Sequence, residues 1–210
     1  EFNVHTRVLT LPKWDRASNN VYDALVAHEV GHALYTPDRE WFKEIKIPPT
    51  FVNIVEDVRI EKLMKRRYAG LAKCFYTGYN ELNDQDFFNI DGKDLSNFNI
   101  ADRVNLYFKI GAWNDISFST TETPIVDLIK NAETFDDTLS AAEALYNCCK
   151  EELETKQKEE IELNSGMDLE GGGNSPDDNG DDSDFTVPES TGNAPMEGGS
   201  SGDVDNSGMD

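Results

Sequence analysis

The pentapeptide His28-Glu29-Val30-Gly31-His32 limits what this chain can fold into more than any other feature. Residues four apart on an α-helix lie on one face, about 40° apart around the axis and roughly 6 Å apart along it. Two imidazoles at that spacing can bind one tetrahedral zinc ion, and a glutamate beside the first can act as a base on a zinc-bound water. The pattern predicts a helix here, with His28 and His32 as metal ligands and Glu29 as the catalytic base.

A zinc ion that activates water normally has three protein ligands, so the fold must bring a third side chain to the histidines. The candidates lie in NIVEDVRIE, residues 53–61, on a second predicted helix. We prefer Glu56 as the third ligand, because it follows His32 at a distance that leaves room for a loop and a return. Asp57 is the alternative. Neighbouring residues on a helix point about 100° apart, so only one of the two faces the metal.

The same helix carries two further charged residues that we expect near the site. Arg59 and Glu61 are predicted to form a supporting ion-pair network, and whichever of the two neighbouring acids is not a ligand could accept a hydrogen bond from a ligand imidazole. An ordinary solvated face with pairs to downstream basic residues would give the same pattern. Candidates for stabilising the oxyanion of a peptidase are not ranked by the sequence: Tyr35, Tyr68, Tyr76 and Arg59.

The charge balance narrows the classes of partner. The chain has 41 acidic and 19 basic residues and a net charge of -22. Such a chain is repelled by nucleic-acid phosphates and by anionic membrane surfaces, and it shows no signal peptide or apolar run of membrane-spanning length. The three cysteines include a vicinal pair (Cys148 and Cys149), which is a poor disulfide framework and predicts reduced thiols and a cytoplasmic location.

The chain divides near Asn164. The last basic residue is Lys158, and residues 165–210 hold twelve acidic residues with many Gly and Ser. We expect residues 1–164 to form the folded domain and residues 165–210 to be a disordered acidic tail or linker. The folded part is predicted to be mainly α (α+β), with a short strand at Arg7–Leu11 and a helix capped by Asn19 or Asn20. Further helices are predicted at 49–68, 84–88, 101–113, 124–132 and 137–155.

Two segments, HEVGHALYTP and NIVEDVRIEKLMKRRYAG, resemble the N-terminal region of the CobT-like, von Willebrand A-domain-linked metallopeptidases of tailed phages, including marine cyanophages. The resemblance covers roughly Leu9 to Glu154. It implies a zincin-like, zinc-dependent peptidase acting on a protein or peptide substrate, in the host cytoplasm if phage-encoded. In that family the acidic stretch leads into a metal-binding A-domain, which we would expect beyond Asp210.

The resemblance also implies a second possibility. A CobT-like chain can be a non-proteolytic subunit or scaffold that works with a ring-shaped AAA+ ATPase of the chelatase or MoxR type. The sequence Asp115-Ile116-Ser117-Phe118-Ser119 fits the D-x-S-x-S metal motif of A-domains, but too little chain follows it for a full α/β domain. We therefore interpret this segment as a loop.

Overall fold

The protein is mainly helical. The computed structural model describes residues 2–3, 5–14, 17–43 and 45–165. A two-stranded antiparallel sheet precedes six α-helices, and in it Phe2 pairs with Leu9. The elements are β1 (Phe2–Asn3), β2 (Val8–Leu9), α1 (Asn19–Tyr35), α2 (Pro49–Arg67), α3 (Leu71–Asp84), α4 (Ile100–Ile110), α5 (Thr123–Asn131) and α6 (Phe135–Ser165), with single 3-10 turns at Trp41–Lys43 and Leu95–Asn97.

The two helices that carry the sequence motifs begin and end close to their predicted positions. The side chain of Ser18 caps α1 and accepts hydrogen bonds from the backbone N–H groups of Asn20 and Val21. The predicted cap, Asn19 or Asn20, was therefore wrong by one or two residues. Helix α2 begins at Pro49. Proline lacks a backbone N–H, but in the first turn of a helix that group would have no intrahelical acceptor, so no hydrogen bond is lost. Both helices are therefore fixed by local sequence signals.

Helix α2 lies between two hydrophobic clusters. Its residues Phe51, Val52 and Val55 pack against α4, α5 and α6, whereas Met64 joins a second cluster formed with α1, α3 and α4. Gly31 permits the close approach of α1 and α2, because a Cβ there would meet Ile60 Cδ1 at 2.9 Å. This close approach determines which side of α2 faces α1.

Some of the remaining helix predictions are confirmed and one is wrong. Helices α4, α5 and α6 confirm three of the predicted helical regions, although α6 runs to Ser165. The predicted helix at 84–88 was wrong, because a 14-residue helix, α3, ends at Asp84 and a turn follows. The fold needs Gly78 in the interior of α3, because a Cβ there would meet Asn20 O at 3.0 Å on α1.

The N-terminal strand and the D-x-S-x-S segment are both short and irregular. The strand covers only Val8–Leu9 of the predicted Arg7–Leu11, since Arg7 lies in the turn with a φ of 57°. Residues 115–119 form neither helix nor strand, as predicted for a loop. The acidic segment that follows Ser165 lies outside the described residues. Among the helices described, none combines the length and the apolar character that crossing a bilayer requires.

Candidate metal centre

Three side chains from α1 and α2 converge on one point. The Nε2 atoms of His28 and His32 lie 3.3 Å apart. Oδ1 of Asp57 lies 3.2 Å from Nε2 of His32 and 3.5 Å from Nε2 of His28. In the described part of the chain this is the group of His, Cys, Asp and Glu side chains whose ligand atoms are close enough to share a metal ion.

The spacing of the three atoms fits a shared, tetrahedrally coordinated metal ion. Zinc–nitrogen and zinc–carboxylate bonds are about 2.0–2.2 Å long, so two ligands of a tetrahedral site lie roughly 3.3–3.5 Å apart. The three observed distances fall at or near this edge length. The side chain of His28 is 3% exposed and that of His32 is 27% exposed, so solvent reaches the group from the His32 side.

Asp57, and not the preferred Glu56, faces the histidines. The Glu56 carboxylate points away from them and accepts two hydrogen bonds from Arg59, at 2.8 and 2.6 Å. Hydroxyl groups of Thr36 and Thr138 donate to its two oxygens, at 2.6 and 3.0 Å. The prediction of Glu56 as third ligand is therefore corrected: this acid is buried and bonded elsewhere, and Asp57, the alternative, is the acid whose oxygen lies beside both histidines.

Glu61 holds the ring of His28. Its Oε1 lies 3.2 Å from Nδ1 of His28, and the hydroxyl of Tyr79 donates to the same oxygen. Lys65 donates to the other oxygen at 3.1 Å. With Nδ1 bonded to a carboxylate, the tautomer that carries its proton on Nδ1 is favoured, which leaves the Nε2 lone pair directed at the shared point.

A second chain of hydrogen bonds holds His32. Its Nδ1 lies 3.0 Å from the hydroxyl oxygen of Thr36, and that hydroxyl donates to Glu56. Because the Thr36 proton is given to the carboxylate, its oxygen accepts the Nδ1–H of His32, and Nε2 again keeps its lone pair. Glu56 and Arg59 thus support the site through Thr36. Arg59 pairs with Glu56, whereas Glu61 pairs with Lys65, so the predicted partners belong to separate ion pairs.

Lys109, from α4, supplies the positive charge closest to Asp57. Its Nζ lies 3.2 Å from Oδ2, the oxygen that does not face the histidines. Burial favours the neutral acid, but His28 and Lys109 outweigh it and hold the pKa of Asp57 well below its usual range. Asp57 is therefore an anion that presents one oxygen to the shared point.

The charges around His28 and Glu61 are coupled. Burial lowers the pKa of His28, but the negative charges of Asp57 and Glu61 outweigh it, and the pKa is raised above 6.5. Burial likewise raises the pKa of Glu61, while the hydrogen bond to His28 and the charge of Lys65 lower it to about 2. In the absence of a metal, a proton on His28 is the cation that this group of acceptors favours.

Glu29 lies on α1 directly after His28 and is half-buried. It is outside the group of three possible ligands. Three of the four oxyanion candidates are exposed or already hydrogen-bonded elsewhere. Tyr68 and Tyr76 are exposed, and the Arg59 guanidinium is occupied by Glu56 and by the backbone oxygens of Tyr35 and Glu133.

Sequence reasoning missed four residues of the centre. Thr36 could have been identified from the sequence, because it lies one helical turn after His32 and at the end of α1. Tyr79, Lys109 and Thr138 come from α3, α4 and α6, and no local pattern connects them to the motif.

Comparison with protein-family models, with curated proteins and with solved structures gives no match. The geometry of the centre is thus the basis for a functional assignment.

Proposed function

We propose that the protein is a zinc-dependent metallopeptidase with a zincin-like catalytic centre. His28, His32 and Asp57 would hold the metal, and Glu29 would be the general base. The observation that carries this proposal is the spacing of the three ligand atoms, which matches a tetrahedral zinc site on a helix with the H-E-x-x-H pattern.

The surrounding hydrogen bonds support the same assignment. Each ligand imidazole donates its Nδ1–H to an acceptor, Glu61 for His28 and Thr36 for His32. Catalytic and structural metal sites both use such partners to fix ring orientation and tautomer. A structural zinc site would usually have four protein ligands, whereas the group here provides three and would leave a position for water.

The chain's own residues then have distinct tasks. A bound zinc ion would polarise the peptide carbonyl and lower the pKa of the attacking water. Glu29 would take a proton from that water on its carboxylate and deliver it to the leaving amine. Lys109 would neutralise the second oxygen of Asp57, so that this acid binds through Oδ1 alone. Glu61 and Thr36 would keep both imidazoles oriented throughout.

The test compares peptide cleavage by the zinc-loaded parent with cleavage by Glu29→Gln, using an unbiased peptide library. Removal of a general base should lower kcat by about 10²–10⁴-fold while zinc content stays unchanged. Asp23→Asn is the matched control, because Asp23 is an exposed acid on the same helix. Zinc binding without cleavage of any peptide by the parent would contradict the peptidase assignment and favour the scaffold function with an AAA+ partner.

A further inference from the structure

Lys109 is a buried cation on α4, beside the candidate metal centre. Its side chain is 9% exposed, and its Nζ lies 3.2 Å from Oδ2 of Asp57. Burial of an ammonium group is costly unless a carboxylate pairs with it, and Asp57 is the acid within ion-pair distance. The pair therefore ties α4 to the acid on α2 that faces the histidines.

The two oxygens of Asp57 have different neighbours. Oδ1 lies 3.2 Å from Nε2 of His32 and 3.5 Å from Nε2 of His28, whereas Oδ2 accepts a hydrogen bond from Lys109. A carboxylate can bind a metal ion through one oxygen or through both. Use of both oxygens here would bring the metal ion towards the ammonium group on Oδ2, and the two positive charges repel each other. Lys109 thus opposes binding through the second oxygen.

The space beside this ion pair is small. A cavity between α2 and α4 is lined by Asp57, Lys109 and four neighbours, and its volume is about 10 Å³. A cavity of this size holds at most about one water molecule, so solvent offers little replacement for the ammonium group. In the described part of the chain, Lys109 is the residue that donates a hydrogen bond to Oδ2.

Metal ions differ in the number of ligands that they prefer. Zinc in a catalytic site takes three protein ligands and a water, whereas Mn²⁺ prefers six ligands, mostly oxygens. We propose that Lys109 is a positioning residue that sets metal selectivity. By holding Asp57 to one oxygen, it keeps the number of ligands low and increases the preference for zinc over Mn²⁺. This proposal rests on the metal centre of the proposed function and is independent of cleavage by Glu29.

The experiment loads the full chain with Co²⁺ as a spectroscopic probe and measures Zn²⁺ and Mn²⁺ affinities by competition with a chelator. Four-coordinate Co²⁺ absorbs visible light much more strongly than five- or six-coordinate Co²⁺. We expect the strong spectrum for the parent. Lys109→Met keeps the length of the side chain but removes its charge and its donor. This variant should give the weaker spectrum of a higher coordination number, and its ratio of Zn²⁺ to Mn²⁺ affinity should fall at least about tenfold.

Two further variants separate this role from a general loss of charge or of structure. Lys65→Met removes a cation of the same centre that donates to Glu61 and not to Asp57, so it should keep the parent's spectrum and affinity ratio. Lys109→Arg keeps the charge and the donor, and it should restore both readouts. Should Lys109→Met not fold, as judged by circular dichroism, the smaller change Lys109→Gln takes its place with the same expected result.

Three results would overturn the proposal. The first is an uncharged Lys109 variant with the spectrum and affinity ratio of the parent, which would leave the metal centre itself intact. The second is a parent that already gives the spectrum of five- or six-coordinate Co²⁺. The third is a parent that binds neither Co²⁺ nor Zn²⁺, which would contradict the metal centre as well. The failure of this proposal is therefore distinguishable from the failure of the proposed function.

Discussion

Nε2 of His32 lies 3.2 Å from Oδ1 of Asp57, although the two residues are 25 positions apart and on different helices. This contact joins the H-E-x-x-H helix to the acidic helix that follows it. It also separates two neighbouring acids by role, because Asp57 faces the histidines while Glu56 faces Arg59.

Glu56 should be needed for stability. In Glu56→Gln, an amide replaces a buried carboxylate that accepts bonds from Arg59, Thr36 and Thr138, so the guanidinium loses its counter-charge. We expect the free energy of unfolding to fall by about 3–5 kcal/mol, measured by urea denaturation of the metal-free protein. Glu143→Gln, at an exposed position of α6, is the control and should stay within about 0.5 kcal/mol of the parent. A Glu56 variant as stable as this control would show that the network is not structural.

Glu61 should tune metal affinity without being a ligand. Glu61→Gln keeps the shape of the side chain but removes the charge that faces Nδ1 of His28. The imidazole becomes a weaker and less fixed ligand, and we expect zinc affinity to fall by about 10–100-fold in competition with a chelator. Unchanged affinity in this variant would mean that the Glu61–His28 contact does not act on the metal.

Gly31 should fix the distance between the two ligand helices. In Gly31→Ala, the new Cβ would meet Ile60 Cδ1 at 2.9 Å and Met64 Cγ at 3.2 Å. We expect a loss of about 1–3 kcal/mol in the free energy of unfolding and weaker zinc binding, since α2 must move away from α1. Gly70→Ala is the matched control, because a Cβ there has no neighbour within 4 Å. Equal effects of the two substitutions would contradict the proposed role of the close approach.

Stability of the metal-free protein should depend on pH in a defined direction. The pKa of His28 is raised, so its contribution is complete below pH 6.5 and is lost as the pH rises through the folded-state value. The pKa of Glu61 is lowered to about 2, so its contribution is present above pH 4.5 and is lost as the pH falls towards 2. We therefore expect these two groups to stabilise the metal-free protein most between these limits.

Urea midpoints in the presence of a chelator, taken at about pH 5.5 and about pH 8, measure this dependence. His28→Gln is the control, because it keeps a donor for Glu61 but cannot titrate. The parent should lose more stability than the variant between the two pH values. With zinc bound, the parent should instead become more stable as the pH rises, because deprotonated imidazoles bind metal more tightly at higher pH. A parent and variant with the same pH dependence would contradict the raised pKa of His28.

The ligand helices could be predicted because their signals are local. The i,i+4 histidines require a helix, and the proline at the start of α2 marks its first turn. Helix α3 was missed although its buried residues have amphipathic helical spacing. The need for Gly78 within it comes from contact with α1, which is a property of the tertiary structure. Lys109 was missed because its contact with Asp57 is also a property of the tertiary structure: α4 reaches Asp57 only after the chain has folded.

The choice between Glu56 and Asp57 depends on how α2 is rotated. Asp57 shares a stripe with Ile60 and Met64, three and seven residues further on, and those two residues meet Gly31 on α1. Glu56 shares its side of the helix with Val52, which packs towards α6. The apolar stripe that faces α1 could have selected Asp57, but the sequence did not reveal which of the two stripes packs against which neighbour.

Zinc titration of the parent and of Asp57→Asn tests the central claim most directly, with the fold of each monitored by circular dichroism. We predict one zinc ion per chain for the parent and a loss of at least about a hundredfold in affinity for Asp57→Asn. A folded Asp57→Asn protein that binds zinc as tightly as the parent, or a parent that binds no zinc, would contradict the assignment of His28, His32 and Asp57 as the metal site.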